Sequence, residues 1–218
     1  MIAKNLISKE IKAATFTTSK EELIEEMERH QIYHLPYIEG AKLKGIISDE
    51  KLRNLDEKKI NLDFLYDEVK AVYEKEYFFE VWSHMACNQL TCIPVIDEEN
   101  NYLGSITQDR LVNYYTTSFA YTEPGTIIII STKKQQYSLA KIAQIVEEEN
   151  CVILSSFLSE KPEESQVLIT IKINCLDIEN ILNSFYRHEI EVEAVFSDKE
   201  YSHIMKDRYH GLMNYLNV

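Results

Sequence analysis

The segment Leu35-Pro36-Tyr37-Ile38 decides the fold, because its pattern returns 58 positions later as Ile93-Pro94-Val95-Ile96. A second motif follows each copy: Gly45-Ile46-Ile47-Ser48 returns 59 positions later as Gly104-Ser105-Ile106-Thr107. Two of the four prolines in the 218-residue chain are therefore in register. A repeat of this length indicates two related structural units that pack against each other.

A helix is predicted before the proline-containing strand in each copy. Ser19 and Glu22 have the spacing of a capping box, which marks a helix start. The apolar positions of this helix and their counterparts in the second copy are Leu23, Ile24 and Met27, and Val81, Trp82 and Met85. Each copy is thus predicted as helix, strand, turn, strand and closing helix, and the closing helices cover 49–55 and 108–117.

The two copies are expected to share one domain, because a unit of about 58 residues buries too little surface to be stable alone. Pro36 and Pro94 lack a backbone donor, so we predict them at strand starts, where each sheet edge opens. Such openings between related copies form clefts, and clefts of this kind are the usual binding places for small ligands.

The composition narrows the classes of partner. The chain has 23 Lys and Arg against 36 Asp and Glu, a formal net charge of −13. Such a charge repels nucleic-acid phosphates and anionic lipids, so we expect neither nucleic acid nor a membrane as a partner. The cysteines form no C-x-x-C pair and lie among apolar residues, which predicts buried free thiols and a cytoplasmic protein. They are Cys87, Cys92, Cys151 and Cys175.

The repeated proline and glycine motifs resemble a tandem pair of CBS domains, regulatory modules named after cystathionine β-synthase. The resemblance implies adenosine-containing ligands in the clefts, with ATP, ADP or AMP as candidates and no certain cofactor. It also implies a hydroxyl at Ser48 or Thr107 and a carboxylate three residues later that holds the ribose. Lys51 and Arg110 stand there instead, and a cation favours a ligand that carries phosphate. The implied cleft residues are Thr17, Leu35, Pro36, Ser48, Lys51, Ile93, Pro94, Thr107 and Arg110.

Residues 126–197 carry a different pattern. Predicted strands over 126–131, 152–158, 166–173 and 191–196 are interrupted by two amphipathic helices. The order βαββαβ is the ferredoxin-like plait, and beside a regulatory module it resembles an ACT domain. That family implies an amino-acid site with an Asp-x-Pro-Gly-like turn between the first strand and the first helix. Here that loop contains Gln135, Gln136 and Tyr137, which are the ligand-binding residues that the resemblance implies for this domain.

The predicted organisation is a mixed α/β (α+β) chain. The first CBS repeat covers 1–60, the second 61–118, a linker 119–125, the ACT-like domain 126–197 and a C-terminal helical tail 198–218. The tail is predicted as a packing or dimer helix, because Met205, Tyr209, Leu212, Met213 and Leu216 have helical spacing. Modules with twofold pseudo-symmetry and apolar helical faces also predict a homodimer or higher homo-oligomer.

No local pattern supplies a nucleophile, a base and an oxyanion donor together, so we do not predict an enzyme or a metal site. Two hypotheses stay open. The first is a non-catalytic regulatory protein that senses an adenine nucleotide in the CBS clefts, an amino acid at the ACT-like domain, or both. The alternative is a structural adaptor whose degenerate sites bind nothing and whose surface docks a partner protein. Combined CBS and ACT modules with such a tail resemble a small bacterial regulatory family linked to acetoin utilisation.

Overall fold

The structure is a computed structural model that describes residues 1–54, 66–67, 69–161 and 166–197. It divides into two compact units, the first ending at Tyr115 and the second beginning at Thr116. In chain order the elements are α1 (Lys20–His30), β1 (His34–Glu39), β2 (Lys42–Ser48), α2 (Asp49–Arg53), β3 (Tyr66–Asp67), β4 (Val72–Tyr73), α3 (Phe78–Cys87), β5 (Cys92–Ile96), β6 (Tyr102–Thr107), α4 (Gln108–Ser118), β7 (Thr126–Lys133), α5 (Leu139–Glu148), β8 (Ile153–Lys161), β9 (Gln166–Ile173), α6 (Glu179–Arg187) and β10 (Glu191–Ser197).

Two three-stranded sheets form the first unit, with strand orders β1-β2-β3 and β4-β5-β6. Pro36 pairs with Ile46 in the first sheet, and Pro94 pairs with Ser105 at the equivalent place in the second. The predicted order of helix, strand, turn, strand and helix is confirmed in both copies. Helix α2 ends at Arg53, and position 55 of the predicted closing helix lies outside the described residues.

Each of these sheets is completed by chain from the other copy. Ser8 of the first copy bridges antiparallel to Ser105 of the second, and its N–H donates to the Ser105 carbonyl over 2.8 Å. In return, β3 at the beginning of the second copy pairs antiparallel with β2 of the first. The hairpin tips also meet, because Lys42 and Asn101 form an antiparallel bridge. The two copies therefore form one unit with twofold pseudo-symmetry.

Helix α1 begins where the capping box predicts. Ser19 Oγ accepts the Glu22 N–H over 3.2 Å, and Glu22 Oε2 accepts the Ser19 N–H over 2.9 Å. The inner side of α1 buries Leu23 and Met27 in a core shared with β1 and β2. Each such side chain contributes about 1.5 to 3 kcal/mol by its removal from water. The predicted apolar face of this helix is thus confirmed.

Pro36 and Pro94 lie inside their strands, so their predicted place at strand starts is wrong. Each is the buried third residue of its strand. Beside Pro36, Ala14 forms one parallel bridge to Tyr37: the Ala14 N–H donates to the Pro36 carbonyl over 2.7 Å, and the Ala14 carbonyl accepts the Ile38 N–H over 2.9 Å. That bridge needs no donor at residue 36, which is why the strand tolerates a proline there.

A four-stranded antiparallel sheet forms the second unit, in the order β10-β7-β9-β8. Helices α5 and α6 pack on one face of it. The core between them contains Ile128, Ile130, Ile142, Ile145, Val146, Ile169, Ile171, Ile181 and Phe185. The element order and the strand order are those of the predicted βαββαβ plait, whose apolar residues alternate along β9 as half-buried strands require.

The prediction of four buried free thiols is wrong. Cys151 and Cys175 form a disulfide with Cα atoms 5.9 Å apart, and Cys87 is exposed. The reason lies in the strand register: Ile153 is opposite Ile173, so the residues two positions beyond this pair face each other at the end of the β8–β9 hairpin. Cys92 is the one buried free thiol, and burial raises its pKa to about 12.

The C-terminal tail and the lengths of the helices bear on two further expectations. The tail helix over 198–218 lies outside the described residues. Within the described part, no helix is both long and apolar enough to cross a bilayer.

Candidate functional site

The hydroxyl residues predicted in the clefts lie at two equivalent helix starts. Ser48 caps α2, where its Oγ accepts the Lys51 N–H over 3.4 Å. Thr107 precedes α4 in the same way, and its Oγ1 accepts the Arg110 N–H over 3.2 Å. Both residues are half-buried. Each hydroxyl oxygen uses one lone pair to accept a backbone N–H of the helix, and a hydroxyl also carries an O–H group that can donate.

The cations three residues later differ in their surroundings. Lys51 Nζ lies 2.5 Å from Asp67 Oδ1, so this ammonium is paired with a carboxylate from β3. Arg110 is exposed at the start of α4. An exposed ion pair such as that of Lys51 contributes about 1 kcal/mol or less to stability. Both helix starts therefore combine a hydroxyl with a cation.

The four apolar residues predicted in the clefts are core residues of β1 and β5. They are Leu35, Pro36, Ile93 and Pro94, and all are buried. Their strands begin beside the two helix starts, because His34, the first residue of β1, is opposite Ser48, and Cys92, the first residue of β5, is opposite Thr107. The strands thus set the positions of both hydroxyls.

Thr17 lies apart from the other predicted cleft residues. It lines a cavity of about 440 Å³ together with Lys12, Glu26 and Arg29, and none of the other predicted residues lines this cavity. Glu26 is only 7% exposed. Its carboxylate accepts the Lys12 N–H over 2.8 Å and Arg29 Nη1–H over 3.2 Å. These hydrogen bonds compensate the buried carboxylate of Glu26. Through them Glu26 connects the segment before α1 to that helix.

A polar contact between the copies was not evident from the sequence. Thr91 donates its N–H to His34 Nδ1 over 3.3 Å, and Thr91 Oγ1 accepts the Tyr33 N–H over 2.8 Å. Burial lowers the pKa of His34, nearby Asp67 opposes this shift, and Lys70 adds to it. The available signal was that Tyr33 and Thr91 occupy equivalent positions of the repeat, which places both near the pseudo-twofold axis.

The second unit has a cavity of about 380 Å³ at the β7–α5 loop. Of the three loop residues predicted to bind a ligand, Gln136 lines this cavity, whereas Gln135 and Tyr137 are exposed outside it. The charged and polar residues that line the cavity are Ser131, Thr132, Lys133, Gln136, Ser138, Lys141, Gln166, His188, Glu189 and Glu191. Both signs of charge are therefore present in the lining.

Metal-binding groups are not assembled in the described ranges 1–54, 66–67, 69–161 and 166–197, where no cluster of three His, Cys, Asp or Glu side chains could hold an ion. His30 and His34, four residues apart in sequence, have different partners. His30 Nε2 lies 3.4 Å from Glu26 Oε1, and His34 bonds to Thr91.

Comparisons with known sequences support the repeat. The family model described as CBS domain matches residues 3–58 and 63–117, about half of the chain. A homoserine O-acetyltransferase of Methanosarcina acetivorans is 33% identical over 113 residues, which cover 49% of this chain and 21% of that protein. The chain thus matches about a fifth of the length of this relative.

Three solved structures are similar to about half of the chain. A CBS domain pair/ACT domain protein from Thermotoga maritima is 16% identical, with a TM-score of 0.49 and coverage of 55% of this chain and 100% of that one. The cytosolic domain of the Mg²⁺ channel MgtE in complex with ATP is 25% identical, with a TM-score of 0.44 and coverage of 51% and 48%. CBSX2 in complex with AMP is 17% identical, with a TM-score of 0.47 and coverage of 53% and 96%.

Proposed function

The chain belongs to the CBS domain family, which matches both copies of its repeat, and on this premise we propose that it is a non-catalytic regulatory protein that senses an adenine nucleotide. One observation carries the proposal: a hydroxyl and a cation recur together at two equivalent helix starts, as Ser48 with Lys51 and as Thr107 with Arg110. The strands that carry Leu35 and Pro36, and Ile93 and Pro94, begin beside these helix starts, and we assign them to the apolar side of each proposed cleft. Thr17 belongs to a neighbouring cavity and is a peripheral member of the site.

The cations favour phosphate-bearing ligands. Lys and Arg form charge-assisted hydrogen bonds with phosphate oxygens, and hydrogen bonds to charged groups are worth about 1.5 to 3 kcal/mol. Adenosine offers no group for these cations. We therefore expect ATP or ADP to bind more tightly than AMP, and AMP more tightly than adenosine.

Calorimetry on the full chain tests this order. We expect ATP to bind, and Arg110→Ala and Lys51→Ala each to weaken ATP binding about tenfold, which corresponds to about 1.4 kcal/mol. Lys75→Ala is the matched control, because Lys75 is an exposed lysine that pairs with Glu98. Adenosine binding as tightly as ATP would contradict the assigned role of the cations, and no binding of any adenine nucleotide would contradict the proposed function.

The same proposal assigns an amino-acid site to the second unit, as an ACT-like domain over 126–197. The cavity beside Gln136 supports it, because Lys133 and Lys141 can bind a carboxylate while Glu189 and Glu191 can bind an ammonium group. A thermal-shift screen with single amino acids tests the assignment, since a ligand at 100 times its Kd adds about 2.7 kcal/mol. A hit should disappear in Lys133→Ala, and Lys172→Ala serves as the control because Lys172 does not line the cavity.

A structural adaptor is the second candidate function. The ion pair between Lys51 and Asp67 favours it, because it already occupies the cation of the first cleft. In this case no nucleotide binds, and a surface of the chain docks a partner protein.

We also propose a homodimer through the exposed apolar face of α3 and α4, residence in the cytoplasm and a role in acetoin utilisation.

A further inference from the structure

The two segments that the copies exchange carry different residues at equivalent places. In the first sheet, Asp67 of β3 is opposite Ile46, and in the second sheet Ser8 is opposite Ser105. Ile46 and Ser105 are equivalent, because each precedes the hydroxyl residue of its own helix start by two positions. Asp67 and Ser8 are therefore counterparts, and only one of them is an acid.

This difference determines whether the cation at each helix start has an acidic partner. Asp67 Oδ1 lies 2.5 Å from Lys51 Nζ, so a carboxylate is already bound to the ammonium group of the first cleft. The hydroxyl of Ser8 cannot supply a charge at the equivalent place. Among the residues that the structure describes, Arg110 forms no ion pair, and it is exposed. The two clefts thus present their cations in different electrostatic states.

We propose that Asp67 makes the two clefts unequal, so that the phosphate of a nucleotide binds preferentially beside Arg110. The inference rests on the proposed function, because it distributes the same ligand between the two clefts. A phosphate that binds at Lys51 has to break an ion pair and approach a carboxylate. A phosphate that binds at Arg110 meets a guanidinium without an acidic partner in the described chain. Asp67 is therefore an internal competitor of the ligand.

Two effects of Asp67 oppose phosphate in the first cleft. Breaking an exposed ion pair lowers the affinity by a factor of up to about five, which corresponds to about 1 kcal/mol. Repulsion between the Asp67 carboxylate and the phosphate oxygens lowers it further. Lysine and arginine also differ in how they hold a phosphate, so a direct comparison of the two clefts does not isolate Asp67. Substitutions at positions 67 and 8 do isolate it.

Calorimetric titration of the full chain with ATP tests the inference one cleft at a time. Arg110→Ala leaves the first cleft, and in this background Asp67→Asn should tighten ATP binding about fivefold. Lys51→Ala leaves the second cleft, where Ser8→Asp introduces a carboxylate at the equivalent place and should weaken ATP binding by a similar factor. Measurement at about pH 8 keeps His34, whose pKa Asp67 influences, neutral in every variant.

Two control variants separate the position of the charge from its mere presence. Glu98→Gln removes a carboxylate from an exposed ion pair with Lys75 and should leave ATP affinity unchanged in both backgrounds. Ser8→Asn changes the size of the side chain without adding a charge and should not reproduce the effect of Ser8→Asp.

The outcomes distinguish this inference from the function on which it rests. ATP binding that is unchanged by Asp67→Asn, or equally weakened by Ser8→Asn and Ser8→Asp, would overturn the inference and leave the proposed function standing. The same holds if Glu98→Gln tightens ATP binding as much as Asp67→Asn. Absence of ATP binding in the wild type and in every variant would overturn both.

Discussion

Thr91 donates its backbone N–H to Nδ1 of His34 over 3.3 Å, and the two residues belong to different copies of the repeat. Because Nδ1 accepts this hydrogen bond, it carries no proton when the bond is formed. Protonation of the imidazole at Nδ1 turns this acceptor into a donor: the bond from the Thr91 N–H is lost, and the new N–H faces Thr91 Oγ1, 3.1 Å away. The contact between the copies therefore depends on the charge of one histidine.

We expect the first unit to lose stability as the pH falls below 6.5, the ordinary pKa of this histidine. Burial lowers the pKa of His34 in the folded protein, so below 6.5 the unfolded chain binds more protons than the folded one and becomes more favourable. The loss stops once the pH is below the lowered pKa. Urea unfolding between about pH 7.5 and about pH 5.5 measures it.

Two variants separate the effect of His34 on stability from that of the carboxylates, which titrate at lower pH. His34→Gln keeps an acceptor for the Thr91 N–H without a titrating group, so its stability should fall less over this window. His84→Gln changes an exposed histidine and should keep the wild-type dependence. Equal slopes in the wild type and in His34→Gln would contradict the role of this contact.

Gly104→Ala should destabilise the first unit strongly. Gly104 has a φ of +145°, and a Cβ there would overlap the side chain of Ile7. We expect a loss of about 2 to 4 kcal/mol in the free energy of unfolding, from backbone strain and overpacking together. Gly40→Ala is the control: Gly40 has a φ of +60° but open space around it, so only about 1 to 2 kcal/mol should be lost. Similar losses for both variants would refute the close approach of Ile7.

Maleimide labelling should modify Cys87 alone in the native protein. Cys87 is exposed, Cys92 is buried with a pKa raised to about 12, and Cys151 and Cys175 are joined. Since the thiolate is the reactive form, Cys92 should react only after unfolding. Peptide mapping reads the result, and Cys87→Ser should leave no native label. Rapid native labelling of Cys92 would show that this core opens.

Reduction should lower the melting temperature of the second unit. The Cys151–Cys175 bond closes a loop with a sequence separation of 24, and a loop of this size contributes about 3 kcal/mol in the chain-entropy account. Thermal unfolding with and without a phosphine reductant measures the difference. The double variant with serine at both positions should match the reduced protein and be insensitive to reductant, whereas an unchanged wild-type transition on reduction would exclude a stabilising bond.

Trp82→Glu should shift the protein toward the monomer. Trp82 of α3 is 38% exposed, and its ring lies 5.5 Å from that of Tyr115 of α4, the helix on which Val112 is 41% exposed. The α3–α4 face therefore presents apolar surface that a twofold interface can bury. Light scattering on the full chain measures the mass. Tyr186→Glu adds the same charge on α6 and should leave the mass unchanged. A wild type of monomeric mass would remove the proposed dimer.

Local patterns predicted most of the fold. Some features depend only on residues close in sequence, so periodicity reveals them. They are the capping box at Ser19, the buried positions Leu23 and Met27, and the βαββαβ order. The bridge between Ser8 and Ser105 joins residues far apart in sequence. Periodicity does not reveal it, because one antiparallel bridge needs no recognisable pattern at either end. The disulfide was missed because it depends on strand register.

The candidate site was predictable to a smaller extent. Ser48 and Thr107 fall at helix starts because a hydroxyl before a helix is a local signal. The ion-pair partner of Lys51 could not be predicted from the sequence, because Asp67 belongs to β3, a strand of only two residues. Thr17 was placed with the other cleft residues by analogy, whereas the turn bonded through Thr15 and Thr18 directs it into a separate cavity.

The exchange of segments between the two copies has a consequence for how the protein is made. As the chain emerges from the ribosome, the first copy cannot close its sheet until β3 has been synthesised, and the segment at Ser8 has no strand to join until β6 exists. The segment at Ser8 therefore cannot pair until nearly the whole first unit has been synthesised. Half of the repeat, if expressed alone, would expose an unpaired strand edge, which is a template for aggregation. Each copy thus supplies chain that pairs with the sheet of the other: the segment at Ser8 pairs with β6, and β3 pairs with β2.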